Sequence, residues 1–234
     1  MTSNSWQPMA SDPIESAPID SMPNSSKPPD WLERSQRLGQ LLGQQAATVW
    51  LTGLSGAGKS TLAFALETRL LDQGRLAYVL DGDQLRQGLC RDIGFSPEFR
   101  HENIRRVAEV AKLFNQAGLL VIAAFISPYQ QDRAMARDII GSERFIEVHM
   151  NADLGLCESR DVKGLYQQAR AGTLSHFTGI SAPYEAPAQP DLTINSGQLS
   201  IAASVDCLMA VLAPYLRQGY PRASAESLPK SPGE

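Results

Sequence analysis

The run Gly53-Leu54-Ser55-Gly56-Ala57-Gly58-Lys59-Ser60 constrains this chain more than any other segment, because it fills the pattern G-x-x-x-x-G-K-[ST]. Glycines in that spacing let backbone N–H groups turn inward around a phosphate chain, and the helix that follows adds its positive N-terminal end. Lys59 supplies a point charge for the β- and γ-phosphates of ATP, and the Ser60 hydroxyl is a Mg²⁺ ligand. Thr61 completes the nucleotide-binding run 53–61. Such a loop needs a strand before it and a helix after it. Thr48 to Thr52 reads as a short buried strand, and Leu62, Leu66 and Leu70 mark a helix that stops at Gly74.

The same alternation continues along the chain. Residues 31–44 read as a helix, with Trp31, Leu38, Leu41 and Leu42 at helical spacing. Leu76 to Leu80 is a second strand that runs into Asp81-Gly82-Asp83. Ser96-Pro97 reads as the cap and first turn of a helix that lasts to about Ala117 and stops at Gly118. Leu119 to Phe125 is almost unbroken hydrophobe, as in a central parallel strand covered on both faces. Ser127-Pro128 reads as the start of another helix, closed by Gly141, with Ser127 as its N-cap. Phe145 to Val148 and Leu192 to Ile194 are two more strands, and Ile201, Val205, Leu208 and Leu212 line the inner face of a last helix. The predicted fold is therefore α/β, a three-layer P-loop domain over residues 31–218 with a five-stranded parallel sheet. Residues 161–190, polar and bearing glycine and proline, interrupt the alternation and read as a lid.

Proline recurs with serine in residues 1–30, at Pro8, Pro13, Pro18, Pro23 and Pro28, and the composition predicts a disordered tail. Residues 219–234 repeat that composition and read as a flexible C-terminal tail. A formal net charge of −4 argues against a nucleic-acid binder. No apolar run is long enough for a membrane span, and the N-terminus lacks the basic start and apolar centre of a secretory signal. Cys90, Cys157 and Cys207 form neither a CxxC pair nor a zinc pattern, which points to a reducing cytoplasm. A homodimer is left open.

The phosphate loop does not name the acceptor. No N-K-x-D segment is present to select guanine, and no acid ends the strand at Phe125-Ile126-Ser127, as a motor-type ATPase would require. Asp81 and Asp83, after the second strand, are the acids placed near the loop, where ligands of doubly wound sheets gather. That layout suits a small-molecule kinase.

Several segments together resemble the adenylylsulfate (APS) kinase family over about residues 46–197: GLSGAGKST (53–61), DGDQLRQGLCRDIGFS (81–96), ENIRRVAEVAKLF (102–114), FISPY (125–129), RDVKGLYQQARAG (160–172) and the 177–187 segment around APYEAP. In that family the γ-phosphate of ATP passes to the ribose 3′-hydroxyl of APS, giving PAPS. The resemblance implies Asp81 as base or Mg²⁺ organiser at the 3′-hydroxyl, and Asp83, Gln84, Leu85 and Arg86 along the APS site. It implies Phe95 and Phe177 as an aromatic pair around the adenine, Arg100 and Asn103 as nucleotide contacts, and Ile126, Ser127 and Lys163 as the rest of the pocket. Lys59, Asp81 and Ser127 form the catalytic set, with Ser60 and Asp81 as metal ligands. The family convention makes Ser127 a phosphoserine intermediate, whereas Ser-Pro chemistry makes it a helix cap and favours direct transfer.

Departures from the family pattern are Gln84 for Asn, His101 for Lys or Glu, and Gln167-Gln168 for a lysine pair. Taken alone, Arg86, Arg100, Arg105 and Arg106 read as solvated helix faces; the resemblance makes Arg86 and Arg100 ligands and leaves Arg105 open. Two rivals stand beside this reading. One is another small-molecule P-loop kinase, which FISPY and KGLY argue against. The other is a non-catalytic nucleotide-binding subunit, which intact Lys59, Ser60 and Asp81 argue against.

Overall fold

The computed structural model describes residues 31–161 and 163–216; the two predicted tails lie outside them. Its elements in chain order are α1 (Trp31–Leu42), β1 (Thr48–Thr52), α2 (Lys59–Asp72), β2 (Ala77–Asp81), α3 (Gly82–Gln87), α4 (Pro97–Gln116), β3 (Leu120–Ala124), α5 (Gln130–Ile140), β4 (Phe145–Asn151), α6 (Leu154–Arg160), α7 (Leu165–Arg170), β5 (Leu192–Asn195) and α8 (Ile201–Leu216). The strands form one parallel sheet in the order β2-β3-β1-β4-β5.

That order follows from burial. Every residue of β1 and β3 is buried, as side chains covered on both faces require, and these two strands lie side by side inside the sheet. The strands β2 and β5 carry exposed residues and take the edges. Two apolar clusters cover the faces. One joins Leu62, Leu66 and Leu70 of α2 to Leu208 and Leu212 of α8. The other joins Ile104, Val107 and Ala111 of α4 to Ala136 and Ile140 of α5, around Trp50. These are the three predicted layers.

Three short helices were not legible from periodicity: α3, α6 and α7. Asp81 creates α3 by accepting the N–H groups of Asp83 (2.9 Å) and Gln84 (3.4 Å) on its carboxylate. The lid segment is also more tightly tied than its polarity suggests, since Tyr166, Ala169 and Phe177 are buried in the first cluster.

The cap at Ser96 is present, accepting from the Phe99 N–H at 3.4 Å. The cap expected at Ser127 is absent, and this is a correction. The helix begins at Gln130, and Tyr129 occupies the capping position without a side-chain bond. Ser127 instead has φ 38°, in the left-handed region that side chains avoid. Long-range partners hold it there. Its carbonyl accepts from Arg133 Nη1 at 2.8 Å, and its hydroxyl accepts from the Trp50 indole N–H at 3.1 Å.

Candidate active site

A cavity of about 900 Å³ opens at the C-terminal edge of the sheet, at the upper end of the size usual for a ligand site. Its phosphate side is the loop between β1 and α2. Gly56 and Gly58 adopt φ 76° and 92°, and a Cβ on Gly56 would approach the Cys157 carbonyl to 2.9 Å, so glycine is required there. Lys59 is buried under the loop, and its ammonium donates to the carbonyls of Gly53 (2.9 Å) and Leu54 (2.7 Å). Burial pulls its pKa from 10.5 down to about 8, against the raising influence of Cys157, Asp81 and Asp83. The Ser60 hydroxyl donates to Asp81 Oδ2 at 2.6 Å, which ties the loop to the end of β2. A hydroxyl and a carboxylate converging on a phosphate loop are the hard oxygen donors that Mg²⁺ prefers. Among the described residues no group of three or more His, Cys, Asp or Glu is placed to hold a metal ion.

The loop's floor comes from farther along the chain. Arg160, at the end of α6, donates to the Gly56 carbonyl at 3.1 Å and to the Ser196 carbonyl at 3.0 Å. The Tyr166 hydroxyl donates to the Ser55 carbonyl at 2.9 Å. Both residues line the cavity, and neither was singled out as a site residue from the sequence. Arg160 stands at the head of the quoted RDVKGLY segment, so its position carried the signal.

On the other side, the cavity is lined by Asp81, Asp83, Arg86, Phe95, Arg100, Asn103, Ile126, Ser127, Lys163 and Phe177, all expected from the sequence. Gln84 and Leu85 are not on that wall. Gln84 is exposed, and Leu85 packs against the second apolar cluster. Arg86 lies 4.2 Å above the Phe95 ring and donates from Nη1 to the Ile93 (2.9 Å) and Gly94 (3.3 Å) carbonyls. Arg100 braces the same loop from behind, donating to the Phe95 carbonyl (3.1 Å) and the His176 carbonyl (2.8 Å). Burial lowers the pKa of both guanidiniums, as expected for cations kept partly out of water.

Phe95 and Phe177 are unequal partners. Phe95 is half exposed beneath Arg86, whereas Phe177 is buried and meets Tyr166 edge to face at 4.9 Å. Asn103 is buried, and its Oδ1 has no partner among the described residues. An unsatisfied acceptor on a cavity wall invites a donor from a ligand. Lys163 reaches across from the lid segment to pair with Asp83. Arg105 and Arg106 are committed elsewhere: both bind Glu102, and Arg106 also grips Asp92 with two bonds of 2.8 Å. Neither arginine lines the cavity. His101 donates to or accepts from buried Asp132 at 2.7 Å, joining α4 to α5 outside the cavity lining.

The geometry agrees with what the chain resembles. Residues 45–195 match the family described as adenylylsulphate kinase. The adenylyl-sulfate kinase of Shewanella amazonensis is 53% identical over 188 residues, covering 80% of this chain and 92% of its own length. The adenylyl-sulfate kinase of Aeromonas salmonicida is 51% identical, covering 79% and 92%. Among solved structures, the Mycobacterium tuberculosis APS kinase in complex with AMPPNP and APS superposes with a TM-score of 0.71 at 46% identity, covering 73% of this chain and 99% of that one. With an intact phosphate loop, an acid bonded to it, and this breadth of similarity, the chain belongs to the adenylylsulphate kinase family.

Proposed function

We propose that the γ-phosphoryl group of ATP passes in one step to the acceptor hydroxyl, with Lys59, Ser60 and Asp81 at the reacting centre and without a phosphoenzyme. As an adenylyl-sulfate kinase, the enzyme phosphorylates the 3′-hydroxyl of APS and releases PAPS and ADP. In the direct reaction the 3′-oxygen attacks the γ-phosphorus in line, the bond to the β–γ bridging oxygen breaks, and ADP carries away that electron pair. The hydroxyl proton goes to the Asp81 carboxylate. Lys59 neutralises charge on the transferring group, and the loop N–H groups hold the β-phosphate. Ser60 and Asp81 would hold Mg²⁺, which supplies charge neutralisation across the β- and γ-phosphates. Asp83, Arg86, Phe95, Arg100, Asn103, Ile126, Ser127, Lys163 and Phe177 receive the APS moiety in this reading.

The observation that carries the assignment is the 2.6 Å bond from Ser60 to Asp81, because it brings the donor loop and the acceptor-side acid to one point. Ser127 supports the direct route. Among the described residues its hydroxyl is bonded to the Trp50 indole, a donor only, so no base adjoins it to make it a nucleophile. We assign the enzyme to the cytoplasm, consistent with three free thiols at Cys90, Cys157 and Cys207.

The test pairs an acceptor comparison with stereochemistry. With ATP and Mg²⁺, APS should be converted to PAPS while AMP gives no comparable ADP release. A chirally labelled γ-phosphate should arrive with inverted configuration. Retention, together with a phosphoprotein that hands its label to APS, would overturn the direct route.

A further inference from the structure

The strand that feeds the phosphate loop also grips Ser127, and it does so through side chains. Trp50 and Thr52 lie two residues apart on β1, so they share one face of the strand. Trp50 donates its indole N–H to Ser127 Oγ at 3.1 Å. The Thr52 hydroxyl lies 2.8 Å from the Ile126 carbonyl and 3.3 Å from the Ser127 carbonyl. Gly53, the first residue of the phosphate loop, donates its N–H to the Ile126 carbonyl at 3.4 Å. The loop and Ser127 are thus carried on adjoining stretches of β1 and the chain that leaves β3.

We infer that Trp50 is a positioning residue for phosphoryl transfer, acting through Ser127 by fixing the direction of its hydroxyl. A serine hydroxyl has one hydrogen to donate and two lone pairs. With one lone pair held by the indole, the hydrogen is restricted to the positions facing away from Trp50, and because Ser127 lines the cavity it is free to donate to an oxygen bound there. The hydroxyl then serves as a preset donor to an oxygen of the bound reactants. Trp50 itself cannot swing, because it is fully buried with its ring stacked between Phe125 (5.9 Å) and Phe145 (5.5 Å). The φ of 38° at Ser127 is the conformational strain that this arrangement sustains. A buried indole N–H must find an acceptor, and here the acceptor is the hydroxyl of a cavity residue. The inference rests on the direct-transfer reading, in which Ser127 is a donor and not a nucleophile.

The experiment is a double-mutant cycle with Trp50→Phe and Ser127→Ala, assayed with ATP, Mg²⁺ and APS. Phenylalanine keeps an aromatic ring between Phe125 and Phe145 and removes the N–H. Trp50→Phe should lower kcat about tenfold, the scale of one well-placed hydrogen bond, with the KM for ATP unchanged. In the Ser127→Ala background the same change should cost less than about twofold, because the group it orients is gone. Losses that multiply in the double variant would show that Trp50 acts only as core, and would overturn the inference. If Trp50→Phe fails to fold, a benzothienyl analogue of tryptophan at position 50 preserves the shape without the donor. Full activity in that analogue would equally overturn the inference. Neither result bears on direct transfer itself, which the chiral-phosphate outcome decides for the wild-type enzyme.

Discussion

The two polar side chains of the phosphate loop are held by partners near in sequence, although Arg160 and Tyr166 brace the loop's carbonyls from 104 and 111 residues away, whereas the acceptor side is closed by contacts between strangers. Lys59 finds its two carbonyl partners five and six residues away, and Ser60 finds Asp81 twenty-one away. Across the cavity, Arg100 meets His176 at a separation of 76, Trp50 meets Ser127 at 77, and Lys163 meets Asp83 at 80. A local site is specified by a motif and closes at small entropic cost, whereas a composite site holds its shape only while the whole fold does. The two sides should therefore fail differently: damage to the first removes chemistry, and damage to the second removes structure and acceptor recognition together.

Arg133 offers the strongest test of that contrast. Its buried guanidinium donates to Glu147 (2.7 Å), to the Ser127 carbonyl (2.8 Å) and to the Glu185 carbonyl (2.8 Å). Arg133→Met should cost about 3 kcal/mol of stability, because Glu147 loses its nearer partner in a mostly buried place and keeps Arg137 at 3.7 Å, while the Ser127 and Glu185 carbonyls lose their donor. Chemical denaturation measures that loss directly, and a change under about 1 kcal/mol would show that the composite side does not depend on this hub. Lys59→Ala should do the reverse. Its midpoint of unfolding should stay near wild type, while turnover falls by about 3 kcal/mol or more of transition-state stabilisation, at least a hundredfold. Near-normal kcat in that variant would break the assignment of the loop.

Arg86 separates acceptor from donor within the same cavity. It holds the 93–95 loop by its backbone and covers the Phe95 ring, and both features lie away from the phosphate loop. Arg86→Ala should weaken APS by about 2 kcal/mol, roughly thirtyfold, and leave ATP binding within about twofold. Titrations of each nucleotide alone give the answer. Equal weakening of both would mean that the two sides are not independent.

The same division governs how much of the molecule is legible in its sequence. The phosphate loop, the five strands and the cap at Ser96 depend on residues close in sequence, and each stands where the pattern put it. Family resemblance supplied the acceptor wall, and the cavity gathers all of that set except Gln84 and Leu85. Leu85 is taken by the second cluster, an outcome that depends on α4 and not on its own neighbours. The cap at Ser127 failed for a related reason. Ser-Pro is a sound local signal, but the hydroxyl that would cap a helix is engaged by Trp50, and the carbonyl is drawn to Arg133. Arg160 and Tyr166 escaped notice because carbonyls far off in the chain, at Gly56 and Ser55, give them their roles.

The smallest expected effect concerns the proton on Lys59. Burial holds its folded-state pKa near 8, below the ordinary 10.5, so between those values the folded protein binds fewer protons than the unfolded chain. The stability contribution of this residue therefore rises as pH climbs from about 8 to 10.5, and the cost of burying its charge is fully present below that window. ATP should act in the opposite direction, because phosphates beside Lys59 favour the charged form. Above pH 8, then, the free enzyme must take up a proton at Lys59 when ATP binds. At pH 9 the uptake should approach about one proton per ATP, with ATP affinity lower than at pH 7.5 by less than about tenfold. Titration calorimetry in two buffers of different ionisation enthalpy counts those protons. Lys59→Met should bind ATP more weakly at both pH values and show no such uptake. If the uptake persists undiminished in Lys59→Met, the proton comes from another group, and the local wiring of the phosphate side is not what its geometry implies.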